Sequence, residues 1–546
     1  MARLARAFGL YSLVSLLLFG LDVVTAPSSR VVGDGSADKT LYMWSFKWWP
    51  WAIAHGRNPL HVDVAWAPDG FDFGLGTAGG GLALLAAPLT ALVGLVATYN
   101  ALILLAPVLA ATTAYVLAER LTHDVPAALV AGYIFGFSSY EQGRMLGHLP
   151  LAFVFLVPLI CYLVVRRQQD DLSCRAFVGL LAVALACEFM IVTQIFFSLV
   201  VIGGVALAVA ALTLGWGPIR RTALEAAGAL LLAGLILSPV LLYAFLSDAA
   251  APLRSPFAES ADLLNYVVPT RRTWFRPPGA ESITSRFTAT GAEQGAYLGI
   301  PFLILVVMAG LKRPLTRPRL LLVILTASAA VLSFGARVKV AGHVLVPIPA
   351  PWSVLARLPL VGSALPVRLT MYVALGAGLL VALALADRRS TLRWLLVVLG
   401  IVATLPNVTQ AQWSSYVPRP AYFDDRGYEQ TLPPGSTVLV LPYGPAGWSM
   451  LWHAESGFWF HLIGGHFALR TTPSEEKWRD VYESLGSGPI EPSRLRAFLR
   501  SHDVAAVVVT PGTRWRVREA VRQAVGTPPQ RWHDALVYRL PRSGSP

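Results

Sequence analysis

Charged residues are scarce in this sequence. Asp, Glu, Lys and Arg make up 14% of its 546 residues, against the roughly one quarter usual in soluble domains. That shortage, beside 55% hydrophobic residues and a mean hydropathy of +0.57, excludes an ordinary water-soluble fold. Cysteine is scarcer still: Cys161, Cys174 and Cys187 all lie in or beside apolar stretches, none at metal-ligand spacing. Neither a disulfide framework nor a zinc site is implied. Acidic residues are outnumbered, 31 against 44 basic, giving a formal charge of +13. The basic residues sit mainly in short loops between apolar segments, where the positive-inside rule places them, so the excess does not argue for nucleic acid.

What the chain has instead is apolar length. Stretches near the roughly 20 residues that cross a bilayer recur up to about residue 411 and then stop. The expectation is a transmembrane domain over 1–411 and a separate domain over 412–546. Arg3 and Arg6 precede an apolar run over 8–26 with no clean small-x-small cleavage site, which reads as an uncleaved first helix with its N-terminus in the cytoplasm.

Orientation follows from four basic clusters, Arg166–Arg167, Arg220–Arg221, Lys312 to Arg319 and Arg388–Arg389, each between two apolar segments. With all four cytoplasmic, the loops 247–294 and 337–365 and the tail lie outside. Upstream, an odd number of crossings must connect an exit near residue 27 with the cytoplasmic Arg166. Of the four candidates the weakest is 80–97, which starts Gly-Gly-Gly and contains Pro88, so it reads as a re-entrant or interfacial part of the first outer loop, 27–98. About eleven spans remain: 7–26, 99–121, 125–140, 148–165, 175–193, 195–214, 222–246, 295–311, 319–336, 367–386 and 391–410.

The outer loops carry the candidate chemistry. Asp34 and Asp38 stand just beyond the first span, ahead of the aromatic run Tyr42 to Trp51, which suits a helix in the headgroup region. These carboxylates either cap that helix or serve as a general base or a phosphate-clamping metal ligand. Glu141, Arg144 and His148 crowd a short loop between two spans, where ionisable groups are costly unless they line a cavity or pair on a helix end. The loop 247–294 holds Arg271, Arg272 and Glu293, and guanidinium is the group best shaped to hold a phosphate; a merely solvated loop is the alternative. The Pro-rich loop 337–365 reads as a lipid-facing flap leading to Arg368.

This arrangement resembles the GT-C class of membrane glycosyltransferases, which use polyprenyl-phosphate or polyprenyl-diphosphate sugars and include oligosaccharyltransferases and protein O-mannosyltransferases. The likeness rests on Asp34/Asp38 after the first span, on Ala106 to Leu117, Ala131 to Tyr140 and Arg144 to His148, and on seven helices before the loop at 247. It covers about residues 1–300. The sequence departs from oligosaccharyltransferases in having Glu141 and His148 where they place an acidic pair, and in lacking a Trp-Trp-Asp motif in the tail. The resemblance implies a polytopic α-helical membrane protein that transfers a sugar from a lipid-linked donor to a glycan, lipid or protein acceptor outside the plasma membrane. It implies Asp38 or Asp34 as base, Arg144, Arg271, Arg272 or Arg368 on the leaving phosphate, and Glu141, His148 and Glu293 in positioning. Whether a divalent metal such as Mg or Mn takes part is left open.

In the tail, 436–442 and 504–509 are strand-like, and Glu491 to Arg500 and Arg514 to Val525 are amphipathic, which predicts a small extracytoplasmic α/β domain. Trp448, Trp452, His453, Trp459, His461 and His466 cluster there at no zinc spacing, as residues packing against the membrane or as a group that stacks sugars or binds metal. A competing class is a transporter or flippase of a lipid-linked cell-envelope precursor. Transporters show internal repeats and mid-membrane binding groups, and only Glu188 and Glu225 leave room for one. A scaffold that presents the tail would leave Asp34, Asp38 and Glu141 dispensable.

Overall fold

The computed structural model describes residues 1–34, 38–76, 78–247, 259–345, 350–357, 364–409, 413–444, 447–466 and 475–541. Gly35 to Ala37 of the first outer loop, 248–258 of the third, and 346–349 and 358–363 of the expected flap lie outside these residues. The chain forms two compact units. One comprises Met1–Asp22, Ala101–Pro239 and Leu253–Trp413; the other comprises Val23–Asn100, Val240–Pro252 and Ser414–Pro546. The first outer loop thus clusters with the tail rather than with the helices that flank it.

Among the described residues six helices are long and apolar enough to cross a membrane: Ala2–Val24, Leu95–Thr122, Leu149–Gln168, Cys174–Ile191, Thr193–Leu214 and Pro366–Asp387. Ile219–Ile236 and Ser238–Leu246, bent by 68°, make a seventh if counted as one span. Val125–Gly136, Ile300–Leu311, Arg317–Ser333 and Thr391–Thr404 occupy the remaining expected segments as shorter helices. Gly80–Val93 is a separate short helix of 14 residues, ended by Gly94 at φ 81°.

The first unit is built around Thr370–Asp387, a helix without charge before its last residue and buried along nearly its whole length. Glycine allows the close packing: a Cβ at Gly378 would lie 3.0 Å from the Ala131 carbonyl, and one at Gly376 would lie 2.1 Å from Thr326 Oγ1. Small residues serve helix contacts in this way where lipid supplies no hydrophobic drive. Leu212, Leu231 and Leu235 point away from protein and are largely exposed, which suits hydrocarbon rather than water. The basic clusters have acidic partners. Arg167 pairs with Glu225 at 2.6 Å, Arg389 with Asp124 at 2.8 Å, and Lys312 and Arg319 share Asp387 at 2.5 and 2.7 Å. Asp124 also caps Val125–Gly136, as Ser173 and Ser390 cap Cys174–Ile191 and Thr391–Thr404.

The second unit holds a mixed five-stranded sheet in the order Gln530–Trp532, Ala535–Arg539, Ala506–Val509, Thr437–Leu441, His461–Leu462. The last three strands run parallel, and Gln530–Trp532 and Ala535–Arg539 form an antiparallel hairpin. Helices Pro492–Ser501 and Trp515–Val525 bury Leu495, Phe498, Leu499, Val517 and Val521 with Leu439, Leu441, Val507 and Val509. The first outer loop is woven into this core. Trp66 joins it, Leu462 N–H donates to the Val64 carbonyl at 2.8 Å, and Arg30–Val32 pairs antiparallel with Ser414–Tyr416.

The aromatic helix forms as Asp38–Ala54, but its rings lie inside protein. Met43, Trp44, Phe46, Trp48 and Trp49 are buried, Trp44 stacks on Trp48 at 5.3 Å, and Phe458 meets both edge-on. Such pairs add about 0.5–1.5 kcal/mol each beyond the area they remove from water, which holds this helix face against the tail.

Candidate functional site

In the first unit the site grows from a sharp turn between two helices. Val125–Gly136 ends at Phe137, and Ser138 Oγ accepts from Glu141 N–H at 3.3 Å to start the six-residue helix Ser139–Arg144. Tyr140 OH donates to the Leu151 carbonyl at 3.0 Å, and Gln142 Nε2 donates to the carbonyls of Phe137 and Thr404 at 3.1 and 2.8 Å. With every anchor of that segment fixed, Arg144 is aimed inward rather than forming a surface pair with Glu141.

Its partner is Glu293. Arg144 Nη1 and Nη2 donate to the two Glu293 oxygens at 2.9 and 2.8 Å, and Nη2 also reaches the Ala292 carbonyl at 2.6 Å. Arg368 donates to Glu293 Oε1 through Nε and Nη2 at 3.1 and 2.6 Å. All three side chains are buried, and the Tyr140 ring lies 5.1 Å beneath Arg144. Burial by itself would raise the Glu293 carboxyl, but Arg144 and Arg368 hold it well below the usual carboxylate range.

A third guanidinium is left wanting. Arg272 is 3% exposed and gives Nη2 to the Gln294 carbonyl, while Nε and Nη1 have no partner among the described residues. Burial, and then the like charge of Arg144, lower it to about 9. It rests on Gly143, where a Cβ would stand 2.4 Å from Arg272 Nη1 and 2.2 Å from the Ala292 carbonyl. Arg271 is exposed and reaches over Gly291 on the same loop. Glu141 is buried, with neither carboxyl oxygen hydrogen-bonded among the described residues. Burial raises it well above the usual range against the pull of Arg144, which favours its neutral form. His148 is half-buried and starts the turn Leu149–Ala152. The structure thus gathers Arg144, Arg272, Glu293 and Arg368, with Glu141 and Arg271 on the same two segments. A buried excess of guanidinium beside a carboxyl whose neutral form burial favours can hold an anion and donate hydrogen bonds to it.

Asp34 and Asp38 belong to the second unit. Asp38, first residue of its helix, lies 2.5 Å from His466 Nε2. Beside it Lys39 is fully buried, donates to Ser415 Oγ at 2.8 Å and lies 5.6 Å over the Trp448 ring. Ser415 in turn donates to the Asp34 carbonyl at 3.1 Å. Burial lowers Lys39 to about 8, opposed by Asp34 and Asp38. Sequence reasoning missed Lys39 and the contact of His466 with Asp38; the available signal was a lysine directly after Asp38 in a helix otherwise short of charge. Of the His/Trp cluster, Trp452, His453 and Trp459 are framework. His453 accepts from Trp44 Nε1 at 3.1 Å and donates to the Phe460 carbonyl at 2.8 Å, while Trp452 and Trp459 donate to the carbonyls of Pro418 and Leu432. Among the described residues no three His, Cys, Asp or Glu side chains converge as a metal site.

Solved structures share this architecture. The arabinofuranosyltransferase AftD from Mycobacteria matches 99% of the chain with a TM-score of 0.59 at 16% identity. The chain spans 40% of that protein. The oligosaccharyltransferase AglB from Archaeoglobus fulgidus, solved with an inhibitory peptide and a dolichol-phosphate, matches 93% of the chain and 69% of its own length, with TM-score 0.52 and 12% identity. ArnT from Cupriavidus metallidurans, solved with undecaprenyl phosphate, matches 97% of both chains with TM-score 0.50 and 14% identity. No curated protein matches by sequence. The fold is therefore that of the multispanning GT-C membrane glycosyltransferases. By sequence the chain belongs to the family described as Domain of unknown function (DUF6311), whose profile matches residues 10–406.

Proposed function

We propose that this chain is a glycosyltransferase that moves a sugar from a polyprenyl-phosphate-linked donor to an acceptor on the extracytoplasmic side of the plasma membrane. In this reading about eleven segments cross the bilayer, the N-terminus is cytoplasmic and 412–546 lies outside. The observation that carries it is Arg272, a buried guanidinium beside Arg144 with two nitrogens unbonded among the described residues, on a fold whose relatives were solved with polyprenyl phosphates. A buried unpaired cation costs several kcal/mol unless an anion completes it, and a lipid phosphate is such an anion.

The reaction balances simply. The acceptor hydroxyl oxygen bonds to the anomeric carbon, the bond from that carbon to the phosphate oxygen breaks, and the lipid phosphate leaves with the electron pair. The hydroxyl proton goes to a carboxylate, for which Asp38 is the first choice and Asp34 the second. Arg272 and Arg271 receive the phosphate, Arg144 and Arg368, fixed by Glu293, supply the surrounding positive field, Glu141 donates a hydrogen bond as a neutral acid, and His148 orients the acceptor.

Purified protein in nanodiscs, given farnesyl-phosphate-linked pentoses and hexoses with alkyl glycoside acceptors, tests this by release of farnesyl phosphate. Asp38→Asn lowers kcat by about 10²–10⁴-fold. Arg272→Gln lowers it by about 10²–10³-fold. Wild-type rates in Asp38→Asn, Asp34→Asn and Arg272→Gln together would overturn the reading, and movement of intact donor across a vesicle membrane would favour a flippase instead.

A further inference from the structure

We propose that His466 is a positioning residue for the Asp38 carboxylate, so that the tail supplies part of the catalytic base. This rests on the reading of Asp38 as base. The two side chains are 428 residues apart in sequence and meet at 2.5 Å, His466 Nε2 to Asp38 Oδ1.

Both partners are mounted on the same core. Asp38 opens the helix Asp38–Ala54, whose Trp44 and Trp48 are locked against His453 and Phe458. His466 follows the strand His461–Leu462 through Gly464, which has φ 66°. A Cβ at Gly464 would fall 2.2 Å from Tyr443 OH, so the turn that delivers His466 tolerates only glycine. The side chains remain 23% and 32% exposed, open enough for an acceptor hydroxyl to reach the carboxylate. Lys39, Asp34, Tyr42 and Tyr99 are the other titratable groups that face this corner.

An Nε2–H donated to Oδ1 fixes the plane of the carboxylate and leaves its charge in place, which is what a base needs before the acceptor arrives. A contact that served only to fasten the helix to the tail would sit equally well inside the protein. The buried pair His502 and Glu475, at 2.9 Å in the same unit, is such a contact and provides the control.

In the farnesyl-phosphate-sugar assay, His466→Ala is expected to lower kcat at least about tenfold while leaving the donor KM within about twofold. His466→Gln, whose amide nitrogen can take the place of Nε2, restores most of the rate, and added imidazole restores His466→Ala in part. His502→Ala lowers stability, and imidazole does not restore its rate. A substrate-free arm reads the same contact: carbodiimide labelling of Asp38, followed by peptide mass spectrometry, rises in His466→Ala and stays at the wild-type level in His466→Gln. Equal labelling in all three proteins, or a loss of rate that neither Gln nor imidazole repairs, would overturn the proposal. Wild-type kcat in Asp38→Asn would instead remove the base reading, whereas an inactive Asp38→Asn with wild-type His466 variants would remove this inference alone.

Discussion

Arg144 grips Glu293 with both terminal nitrogens, one on each carboxylate oxygen, at 2.9 and 2.8 Å. Arg368 holds the same carboxylate, so one negative charge compensates two buried guanidiniums. Glu293→Gln keeps the shape and removes the charge. Stranding buried charges costs about 3–5 kcal/mol, so this variant should unfold at markedly lower temperature by thiol-reactive dye or by fluorescence-detected size exclusion. The acid limb has a definite sign. A carboxyl lowered in the folded state contributes stability above its unfolded value, near 4.5, and loses it as pH falls through the folded value. The Glu293 contribution therefore persists at pH 5 and disappears only in stronger acid. A wild-type protein that lost this contribution between pH 7 and 5 would contradict the pairing.

Glu141 is the converse case. Its folded carboxyl is raised by burial, so the folded state holds a proton that the unfolded chain releases above about pH 4.5. The sign reverses: each pH unit between the unfolded and folded values costs about 1.4 kcal/mol of stability. Glu141→Gln removes that cost without changing shape. The difference in melting temperature, variant minus wild type, should widen in favour of the variant from pH 5 to pH 8, and a constant difference would mean that Glu141 is charged in the folded protein. In the proposed reaction Glu141 is a donor, so the amide should keep part of the transfer rate while Glu141→Ala should not.

Gly143 connects the two loops through space it does not fill. Its missing Cβ is the room in which Arg272 Nη1 and the Ala292 carbonyl sit. In Gly143→Ala one of them must move, at about 1–3 kcal/mol for an overpacked site. The guanidinium is the softer neighbour, so the expected result is a fall in affinity for farnesyl phosphate, measured by calorimetry, larger than the fall in stability. Equal binding by wild type and variant would detach Arg272 from phosphate recognition.

Much of this organisation is legible in the sequence because local pattern reports local structure. The apolar segments appear as helices, and the strand-like 436–442 and 504–509 become neighbouring parallel strands. The outer-loop residues Glu141, Arg144, Arg272, Glu293 and Arg368 stand out as charges beside apolar runs. Their pairing is another matter: nothing in a periodicity ties Arg144 to a partner 149 residues away. The aromatic helix is the clearest limit. A tryptophan-rich face reads the same for a headgroup layer as for a protein interior, and only the position of Phe458 and His453 decides between them. Lys39 was hidden for a similar reason, since a lysine beside two aspartates normally signals solvent.

His453 offers a test of how the second unit holds together. Its Nδ1 accepts from Trp44 and its Nε2–H donates to the Phe460 carbonyl, so both nitrogens are committed with the ring neutral. Burial lowers its affinity for a proton to about 3, from an ordinary value near 6.5. Between these values the unfolded chain binds a proton that the folded one does not, so stability rises with pH across that window and falls as the solution is acidified through it. The slope from this residue alone is about 1.4 kcal/mol per pH unit. Tryptophan fluorescence should follow the transition, because unfolding takes Trp44 out of the buried site it shares with His453. His453→Gln can still offer one donor and one acceptor but has no proton to gain. It should be less stable than wild type at pH 7, through imperfect packing among Trp44, Phe458 and Phe460, yet lose less on going to pH 5. Parallel acid sensitivity in the two proteins would mean that His453 is protonated in the folded state, which its two hydrogen bonds do not permit.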